Sequence, residues 1–472
     1  MDLTNVIMNA GAGLAVFRAQ VATTSNNIAN ANTPGYARQD AVATETTPSE
    51  ETGNNGYIGR GVTLQGVVQN RDQFIEAQIS SAFANSSSSS AQADALSTVS
   101  ALDPQQQGGI TDAVGKFYSA LRDLNQNPGD LGLRQAVVDS AQAVARAFNV
   151  TATALGSSRG GIDQNVSELT NKANGLLSSV ADLNRKIALA VNSGRTPNDL
   201  LDVRQNALDQ LAQMLGTRAV PDDHSNVSVV LPGGTALVSG AVAAKLSTQT
   251  SPTNRGHFDV VFTPLDGSQP TALKAGDLGG QMGGLLNARD DVLGTAESSL
   301  DTLAYDFATT VNTQHEAGYA LDGSTGNDLF ATLANSTGAA ANIAVDPTTY
   351  ANPSLIAAAG SSPTSPTSGP GDSTNLQAII ATESTQLSTS LNVQDGMAKI
   401  TSDFGIAVST VSDSSQFDKN LLADLTNARE SASGVSVDDE LTKLMQAQTS
   451  YNALTKVITT TSTLLDTLMK MF

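Results

Sequence analysis

Three isolated histidines are the side chains of this sequence best suited to acid–base chemistry or metal binding. His224, His257 and His315 stand far apart along the chain, and none falls in an HExxH motif or another spacing of metal ligands. The nearest approach is His315 beside Glu316 on a predicted helix, and we expect this pair to be solvated or to contact another subunit. The histidines therefore predict neither a catalytic centre nor a metal centre.

The paired acids and glycine-rich loops give no stronger signal of chemistry. Acidic pairs at 222–223, 290–291 and 438–439 are adjacent, so their members lie on different sides of a helix or in loops. The segment DGSTGND at 322–328 lacks the Asp-x-Asp spacing and closing Glu of a calcium loop, and the glycines at 53–61 lack the flanking strand and helix of a phosphate loop. No GxSxG motif, P-loop or cysteine occurs. We predict that the protein is not an enzyme and uses no cofactor.

Composition favours slim helical packing over a deep ligand pocket. The chain has 472 residues, of which 40% are hydrophobic but only 4% aromatic, and tryptophan is absent. This length predicts several domains, whose cores we expect to consist of Ala, Leu, Val and Ile. The absence of cysteine excludes disulfides and thiolate chemistry.

Charge is distributed unevenly along the chain. The net charge is −20, which argues against nucleic acid binding. Residues 1–36 are neutral and residues 441–472 carry +2, so the part between them carries −22. Nearly neutral ends can pack side by side in many copies, while an acidic middle stays solvated.

Both ends of the chain show the seven-residue spacing of amphipathic helices about 45 Å long. Each stripe alone fits an ordinary core helix as well, but two stripes at opposite ends favour a coiled coil between the termini. The predicted pairing positions are Leu3, Ile7, Leu14, Phe17, Val21 and Ile28 in the first helix and Leu444, Tyr451, Leu454, Ile458, Leu465, Leu468 and Phe472 in the last.

The stretch TSNNIANANTPGYARQ at 24–39 ends the first helix. Proline followed by glycine suits a type II turn, and the crowded amides favour hydrogen-bonded packing against neighbours. The predicted subunit-contact residues are Ser25, Asn26, Asn27, Asn30, Asn32, Pro34, Gly35 and Tyr36.

This stretch resembles the signature of the axial proteins of the bacterial flagellum, which comprise rod, hook and hook-associated proteins. GYARQ is similar to the hook-associated protein 1 family. The segments LNRKIALA at 183–190, GGLLNARDD to DGSTGNDLF at 283–330, and SGVSVDDEL at 433–441 resemble the same family in the same order.

The resemblance implies a structural component that forms the junction between hook and filament by polymerising through its terminal helices. It implies a homo-oligomeric ring with the hook protein on one side and hook-associated protein 3 on the other, and an export chaperone on the C-terminal helix. A hook or rod protein shares the N-terminal signature, and an exported adhesin with flagellar-type ends is the other alternative, with residues 217–281 as its binding region.

The resemblance also implies an extracellular protein exported by the flagellar type III apparatus. The N-terminus shows no basic and apolar regions of a cleaved signal peptide, and no uninterrupted run of 18 apolar residues predicts membrane insertion. These features alone would indicate the cytosol.

The predicted fold is mainly α with a β insertion. A helical pattern runs through 131–155, meets a joint at Gly160 and Gly161, and resumes over 166–192, while Ser436 is predicted to cap the last helix. We expect a terminal coiled-coil domain with a hairpin-like arm, a helical bundle with a loop-rich part, and a small outer β domain. Their predicted boundaries are 1–68 plus 430–472, 69–216 plus 282–429 (loop-rich over 331–375), and 217–281.

Overall fold

The computed structural model describes residues 3–33, 35–47, 49–50, 57–99, 102, 109–222, 225–362 and 371–471. Pro34, His224 and Phe472 lie outside the described residues, as do two glycines of the predicted loop at 53–61. The helices are α1 (Leu3–Asn30), α2 (Gln73–Ser97), α3 (Ile110–Gln126), α4 (Leu131–Asn192), α5 (Asn198–Leu215), α6 (Gly280–Leu286), α7 (Gly294–Glu316), α8 (Ala339–Asn342), α9 (Pro347–Ala351), α10 (Thr374–Ala381), α11 (Val393–Ser433) and α12 (Val437–Met469). The strands are β1 (Gln39–Glu45), β2 (Ser49–Glu50), β3 (Tyr57–Ile58), β4 (Val62–Gln69), β5 (Arg218–Pro221), β6 (Val227–Val230), β7 (Ala236–Ser239), β8 (Val242–Ala243), β9 (Lys245–Thr250), β10 (Phe258–Thr263) and β11 (Thr271–Leu273).

The first and last helices pack against each other in antiparallel orientation. Asn27 contacts Glu440, and Gly13 lies against Leu454, so residue numbers rise along α1 as they fall along α12. A Cβ at Gly13 would lie 2.7 Å from Leu454 Cδ1, which shows how closely the two helices approach. Ser436 caps α12 as predicted, since its side chain accepts a hydrogen bond from Asp439 N.

Helix α1 is long and apolar enough, by length and composition, to cross a membrane. Its mean hydropathy reaches 1.2 over 18 residues, although polar residues interrupt the apolar ones. In the structure α1 packs along α12, and 22% of that window is buried.

The predicted joint at Gly160 and Gly161 is wrong, because α4 is one helix of 62 residues, about 93 Å long. Buried positions continue through the glycines at helical spacing, with Leu155 before them and Ile162 and Val166 after them. A helix interior tolerates glycine at a cost of about 1 kcal/mol when burial of the surrounding stripe offsets it.

The bundle core contains a cluster of aromatic rings that the composition did not predict. Rings at neighbouring positions lie 5.2–6.4 Å apart between centroids, mostly edge to face. Few aromatics occur in the chain, but these are concentrated where α3, α4 and α7 meet. The cluster consists of Phe117, Tyr118, Phe148, Phe307 and Phe330.

The β structure forms an arm and an insertion. Strands β1 and β4 make an antiparallel arm next to α1, as the hairpin pattern predicted. The insertion contains a four-stranded sheet, β5-β6-β7-β8, and a three-stranded sheet, β11-β10-β9. Both rest on α4, where Asn184 donates to Val227 O and Gly240 O, and Asn174 exchanges two hydrogen bonds with Leu246.

The two connections into the β insertion touch each other through glycines. Gly216 has φ +68°, and a Cβ there would lie 2.6 Å from Gly279 Cα. Gly280 has φ +56°, and its Cβ would lie 2.3 Å from Gln213 O. Only glycine fits both the left-handed backbone and the close approach at this neck.

We predict that Gly160→Ala and Gly161→Ala each raise the free energy of unfolding by about 0.5–1 kcal/mol. A Cβ at either position meets nothing within 4 Å, and alanine restricts the unfolded chain. Urea denaturation followed by circular dichroism measures the change. As the contrasting control, Gly216→Ala at the neck should lower stability by at least about 1 kcal/mol. Destabilisation by both helix variants would contradict the view of α4 as a regular helix through this point.

Candidate functional site

A buried hydrogen-bond cluster centred on Asn27 joins the end of α1 to the rest of the chain. Asn27 is 0% exposed. Its Nδ2 donates to Gln39 O at 2.8 Å and to Glu440 Oε2 at 2.9 Å, while its Oδ1 accepts from Tyr36 OH at 2.8 Å and Gln39 N at 3.0 Å. A carboxamide has two donors and two acceptor lone pairs, so Asn27 is fully satisfied. We call Asn27, Tyr36, Gln39 and Glu440 the polar hub.

Glu440 brings the start of α12 into the polar hub. Its side chain is 1% exposed, and Oε1 accepts a hydrogen bond of 2.8 Å from Lys443 Nζ. Lys443 also lies 3.5 Å from Asp40 Oδ1 on β1. A buried carboxylate needs both an opposite charge and hydrogen bonds, and Lys443 and Asn27 supply them.

Tyr36 follows a tight turn that aims its ring at Asn27. Gly35 has φ +78°, a left-handed conformation that glycine adopts without strain. Burial first, and then the nearby carboxylates of Asp202, Asp199 and Glu440, together raise the pKa of Tyr36 to about 12. The hydroxyl therefore stays protonated and donates its hydrogen bond at all physiological pH values.

Arg71 connects the turn to the helical bundle. Its NH2 donates to Gly35 O at 2.8 Å and to Asp202 Oδ1 on α5 at 2.6 Å, and its NH1 donates to Glu76 Oε1 on α2 at 3.2 Å. Burial raises the pKa of Asp202, although Arg71 opposes this shift. One guanidinium thus fixes three separate chain segments in a fork geometry that lysine could not reproduce.

The start of α5 contacts the arm through Asn198. Its Nδ2 donates to Val67 O at 3.0 Å and to Gln39 Oε1 at 3.4 Å, and Gln69 Nε2 donates to Asn198 O at 3.1 Å. The arm is therefore held by α1 on one side and by α5 on the other.

Asn27 and Tyr36 were predicted to contact neighbouring subunits, and for Asn27 this prediction is wrong. Its four hydrogen bonds lie within one chain and it is inaccessible to solvent. Asn30 Nδ2 donates to Asn26 O and Oδ1, so these two are half-buried and paired with each other. Ser25 and Asn32 are exposed.

The predicted apolar stripe positions on α1 and α12 are only partly covered in the single chain. The fully buried seam positions are mostly small, namely Ala10, Gly13 and Ala447, together with Val16. Leu468 is exposed. The half-buried positions are Leu3, Ile7, Leu14, Phe17, Val21 and Ile28 on α1 and Leu444, Tyr451, Leu454, Ile458 and Leu465 on α12.

Sequence reasoning missed the role of Glu440. Glutamate near the start of a helix carries no sign that it is buried. A signal was present in Asn27, which lies on the seam side of α1, where an amide requires hydrogen-bond partners.

His315 and His257 carry structural roles. His315, expected at the surface, is 0% exposed: Nδ1 donates to Asn327 O at 2.6 Å and Nε2 accepts from Ala357 N at 3.0 Å. Burial lowers the pKa of His315, which suits the neutral ring. His257 Nδ1 lies 2.6 Å from Asp163, which also binds Arg289. Among the described residues, no group of three or more potential ligands could hold a metal ion.

Three segments of the chain match models of known protein families. Residues 7–36 match a flagella basal body rod protein, and residues 428–471 match the C-terminal part of flagellar basal body rod FlgEFG proteins. Both matches leave a rod or hook protein open. Residues 96–330 match the helical domain of flagellar hook-associated protein FlgK.

Relatives of the full length point the same way. Flagellar hook-associated protein 1 of Escherichia coli (strain K12) is 25% identical over 554 aligned residues, covering 99% of this chain and 100% of the relative. That of Bacillus subtilis (strain 168) is 27% identical over 499 residues, covering 96% and 95%. The chain belongs to the FlgK family.

A solved FlgK structure shows the same fold. It is the structure of the flagellar hook junction protein FlgK from Burkholderia pseudomallei, which is 18% identical with a TM-score of 0.67. The match covers 76% of this chain and all of that one. The prediction of a mainly helical fold with paired terminal helices and a small β insertion is confirmed.

Membership of the FlgK family decides between the classes left open by the sequence. The FlgK family consists of structural flagellar proteins, so the prediction that this chain is not an enzyme is confirmed. The chain is a hook-associated structural protein of the bacterial flagellum.

We predict that Asn27→Ala lowers the free energy of unfolding by about 2–4 kcal/mol, because it leaves buried partners without hydrogen bonds. Asn32→Ala, at an exposed position two residues after α1, is the matched control and should change stability by less than about 0.5 kcal/mol. Thermal and urea denaturation measure both. Equal stability of the two variants would show that the polar hub does not hold the terminal helices.

Asp209 on α5 gives a pH-dependent prediction. Burial raises its pKa from 3.8 to about 6, with Glu76 adding to the shift and Gln205 opposing it. Because the pKa of Asp209 is raised in the folded state, its protonated carboxyl makes a contribution to stability that is fully present below pH 3.8. This contribution is lost as pH rises through about 6. Asp209→Asn should therefore be more stable than wild type at pH 8, by about 1–2 kcal/mol, with the advantage shrinking towards pH 4.

Denaturation midpoints of both proteins between pH 4 and 8 measure this effect. Asp199→Asn, an exposed substitution on the same helix, is the control and should leave the pH profile unchanged. A constant difference between Asp209→Asn and wild type at all pH values would contradict the assignment.

Proposed function

We propose that this chain forms the junction between flagellar hook and filament as a ring of identical copies. In this ring the α1–α12 pairs stand side by side around a common axis. The observation that carries the proposal is the incomplete burial of these two helices, whose apolar residues a single copy covers only in part.

Helix α12 exposes large apolar side chains along its whole length. Met445 is 61% exposed and Leu464 is 53% exposed, and other positions behave similarly. Isolated exposed apolar residues are normal on soluble proteins, but a series along one helix indicates an interaction surface. The series comprises Val437, Leu441, Met445, Val457, Leu464, Leu468 and Met469 on α12, and Met471 just beyond its end.

Charge supports close packing of many copies at this end. Helix α12 carries few charges beyond its first turn, and α1 carries only Arg18 among its described residues. By contrast, the remaining chain is strongly acidic. Identical copies repel least where they are neutral, so the terminal pair is the element that can pack laterally.

The polar hub transmits force between the helix pair and the bundle. Arg71 links the turn after α1 to α2 and α5, and Arg38 N donates to Ser433 O at the end of α11. A component between a bending hook and a stiffer filament must pass load from one to the other. Hydrogen-bonded contacts at the end where α1 finishes and α12 begins support this mechanical role.

The partners follow from the same proposal. The similar structure from Burkholderia pseudomallei is that of a flagellar hook junction protein. We place the hook protein on one side of the ring and hook-associated protein 3 on the other. An export chaperone covers the apolar face of α12 until assembly, and export uses the flagellar type III route without a cleaved signal peptide.

We also propose that the chain divides into three units. The terminal unit is 1–68 plus 430–472, the bundle is 69–216 plus 282–429, and the outer β unit is 217–281. The meeting of both connections at Gly216 and Gly279 supports the boundary of the β unit.

We predict that Leu441→Glu together with Met445→Glu abolishes incorporation at hook ends while the monomer stays folded. Both side chains are exposed in the single chain, so charges there meet water until a neighbour packs on them. Gln416→Glu together with Asn420→Glu, at exposed positions of α11 with the same spacing, is the charge-matched control and should incorporate normally.

Incorporation is measured by binding to purified hooks and by restoration of swimming in a bacterium that lacks its own FlgK-family protein. Circular dichroism of the free variants checks their fold. Normal assembly of the double variant would overturn packing through α12.

A further inference from the structure

A cavity of about 330 Å³ lies between α1, β1 and α12, beside the polar hub. Its walls include Thr23 and Thr24 from α1, Gln39 from β1, and Lys443 and Ala447 from α12. All but Lys443 are at most 8% exposed. We call the cavity lined by these five residues the Gln39 socket.

The Gln39 socket contains a buried donor without a partner. Gln39 is 5% exposed, and its Nε2 makes no hydrogen bond. Its Oε1 already accepts from Asn198 Nδ2, which leaves Nε2 as the free end of the amide. An unpaired buried amide is unfavourable in the single chain, so an acceptor that enters the socket and reaches Nε2 gains a hydrogen bond that the chain itself leaves unmade.

The charges at the mouth of the socket select the kind of acceptor. Lys443 Nζ lies 2.8 Å from Glu440 Oε1 and 3.5 Å from Asp40 Oδ1, and Arg38 Nε lies 3.7 Å from Asp40 Oδ2, so two cations already balance two carboxylates. Another carboxylate would bring a negative charge to this corner with no cation left to pair it. A neutral carbonyl oxygen, as in a carboxamide, satisfies the donor without adding charge.

We propose that the Gln39 socket binds a side-chain carboxamide from a second copy of this chain, presented by Gln448 or Asn452. This inference rests on the proposed ring and names the contact within it. At 100° per residue, Gln446 and Ser450 lie on the socket flank of α12, whereas Gln448 and Asn452 lie on the opposite flank. Both amides are exposed.

A ring brings these two flanks together at one level. Copies related by rotation about the ring axis meet head to tail, so one flank of each copy contacts the other flank of the next. The socket spans α12 from Lys443 to Ser450, so Gln448 lies within its height and Asn452 lies just beyond it. No axial shift between copies is needed.

The surfaces further along the pair fit the same arrangement. On the socket flank, α12 exposes Val457 and Leu464. At the same height on the opposite flank, α1 exposes Met8 together with the small residues Gly11 and Ala15. Bulky apolar side chains against small ones allow two helices to pack closely.

The test uses engineered cysteines, because the chain has none of its own. Ser450→Cys combined with Gln448→Cys places one thiol on each flank. Protein assembled on purified hooks, treated with a short bifunctional thiol reagent, should give a ladder of cross-linked multimers, and dilute monomer should give none. The matched control, Ser450→Cys with Gln446→Cys, has both thiols on the socket flank and should give no ladder.

A second variant separates a contact between copies from a structural role. Gln39→Met keeps the side-chain length and removes the donor, so the monomer should unfold at an unchanged or higher temperature while incorporation falls by about tenfold. A loss of monomer stability with normal incorporation would mean that the amide acts only within the chain. Unchanged incorporation and stability would mean that the socket holds solvent only, and both results overturn the inference.

The ladder experiment also distinguishes this inference from the proposed function. Assembly of the cysteine variants without a ladder, or with a ladder in the same-flank control, rejects the socket contact but leaves the ring intact. Failure of the unmodified chain to join hooks rejects the proposed junction itself.

Discussion

Asn27 places a constraint on the terminal part of the molecule that few residue types could meet. Its side chain donates to β1 and α12 and accepts from the turn and from β1, all inside one closed cluster. Aspartate has no donors, and leucine of similar size has neither donors nor acceptors. The position of α12 next to α1, the course of the turn and the start of the arm all depend on this one carboxamide.

Stability is distributed unevenly between the bundle and the helix pair. Helix α4 has a continuous buried stripe and borders the aromatic cluster, so the bundle can fold on its own hydrophobic contacts. Helix α12 buries only Glu440, Ala447 and Thr461 along 33 residues. A helix with so small a buried area depends on tertiary partners, and the pair gains them in two stages. The polar hub supplies partners within the chain, and in the proposed ring neighbouring copies supply the rest.

The sequence predicted the helices well because apolar spacing reports which side of a helix is covered. It could not show how completely that side is covered, which depends on a partner far away in sequence. This is why the large apolar positions are half-buried while Ala10, Gly13 and Ala447 form the seam. Asn27 was assigned to the wrong surface for the same reason, since a buried amide and an exposed amide look alike in a sequence. His315 and the two glycines of α4 were misjudged because local propensity gives way to packing.

The neck of the β insertion separates the course of the insertion from the course of the helices that carry it. Because Gly216 and Gly279 touch, the chain returns to within contact distance of the point where it left the bundle. The C-terminal end of α5 and the N-terminal end of α6 are therefore held at a fixed spacing, whatever chain lies between them. A longer or shorter insertion could be accommodated without changing the path of the helices below. The outward surface of this protein is thus free to diversify, while the part that must match its neighbours is not.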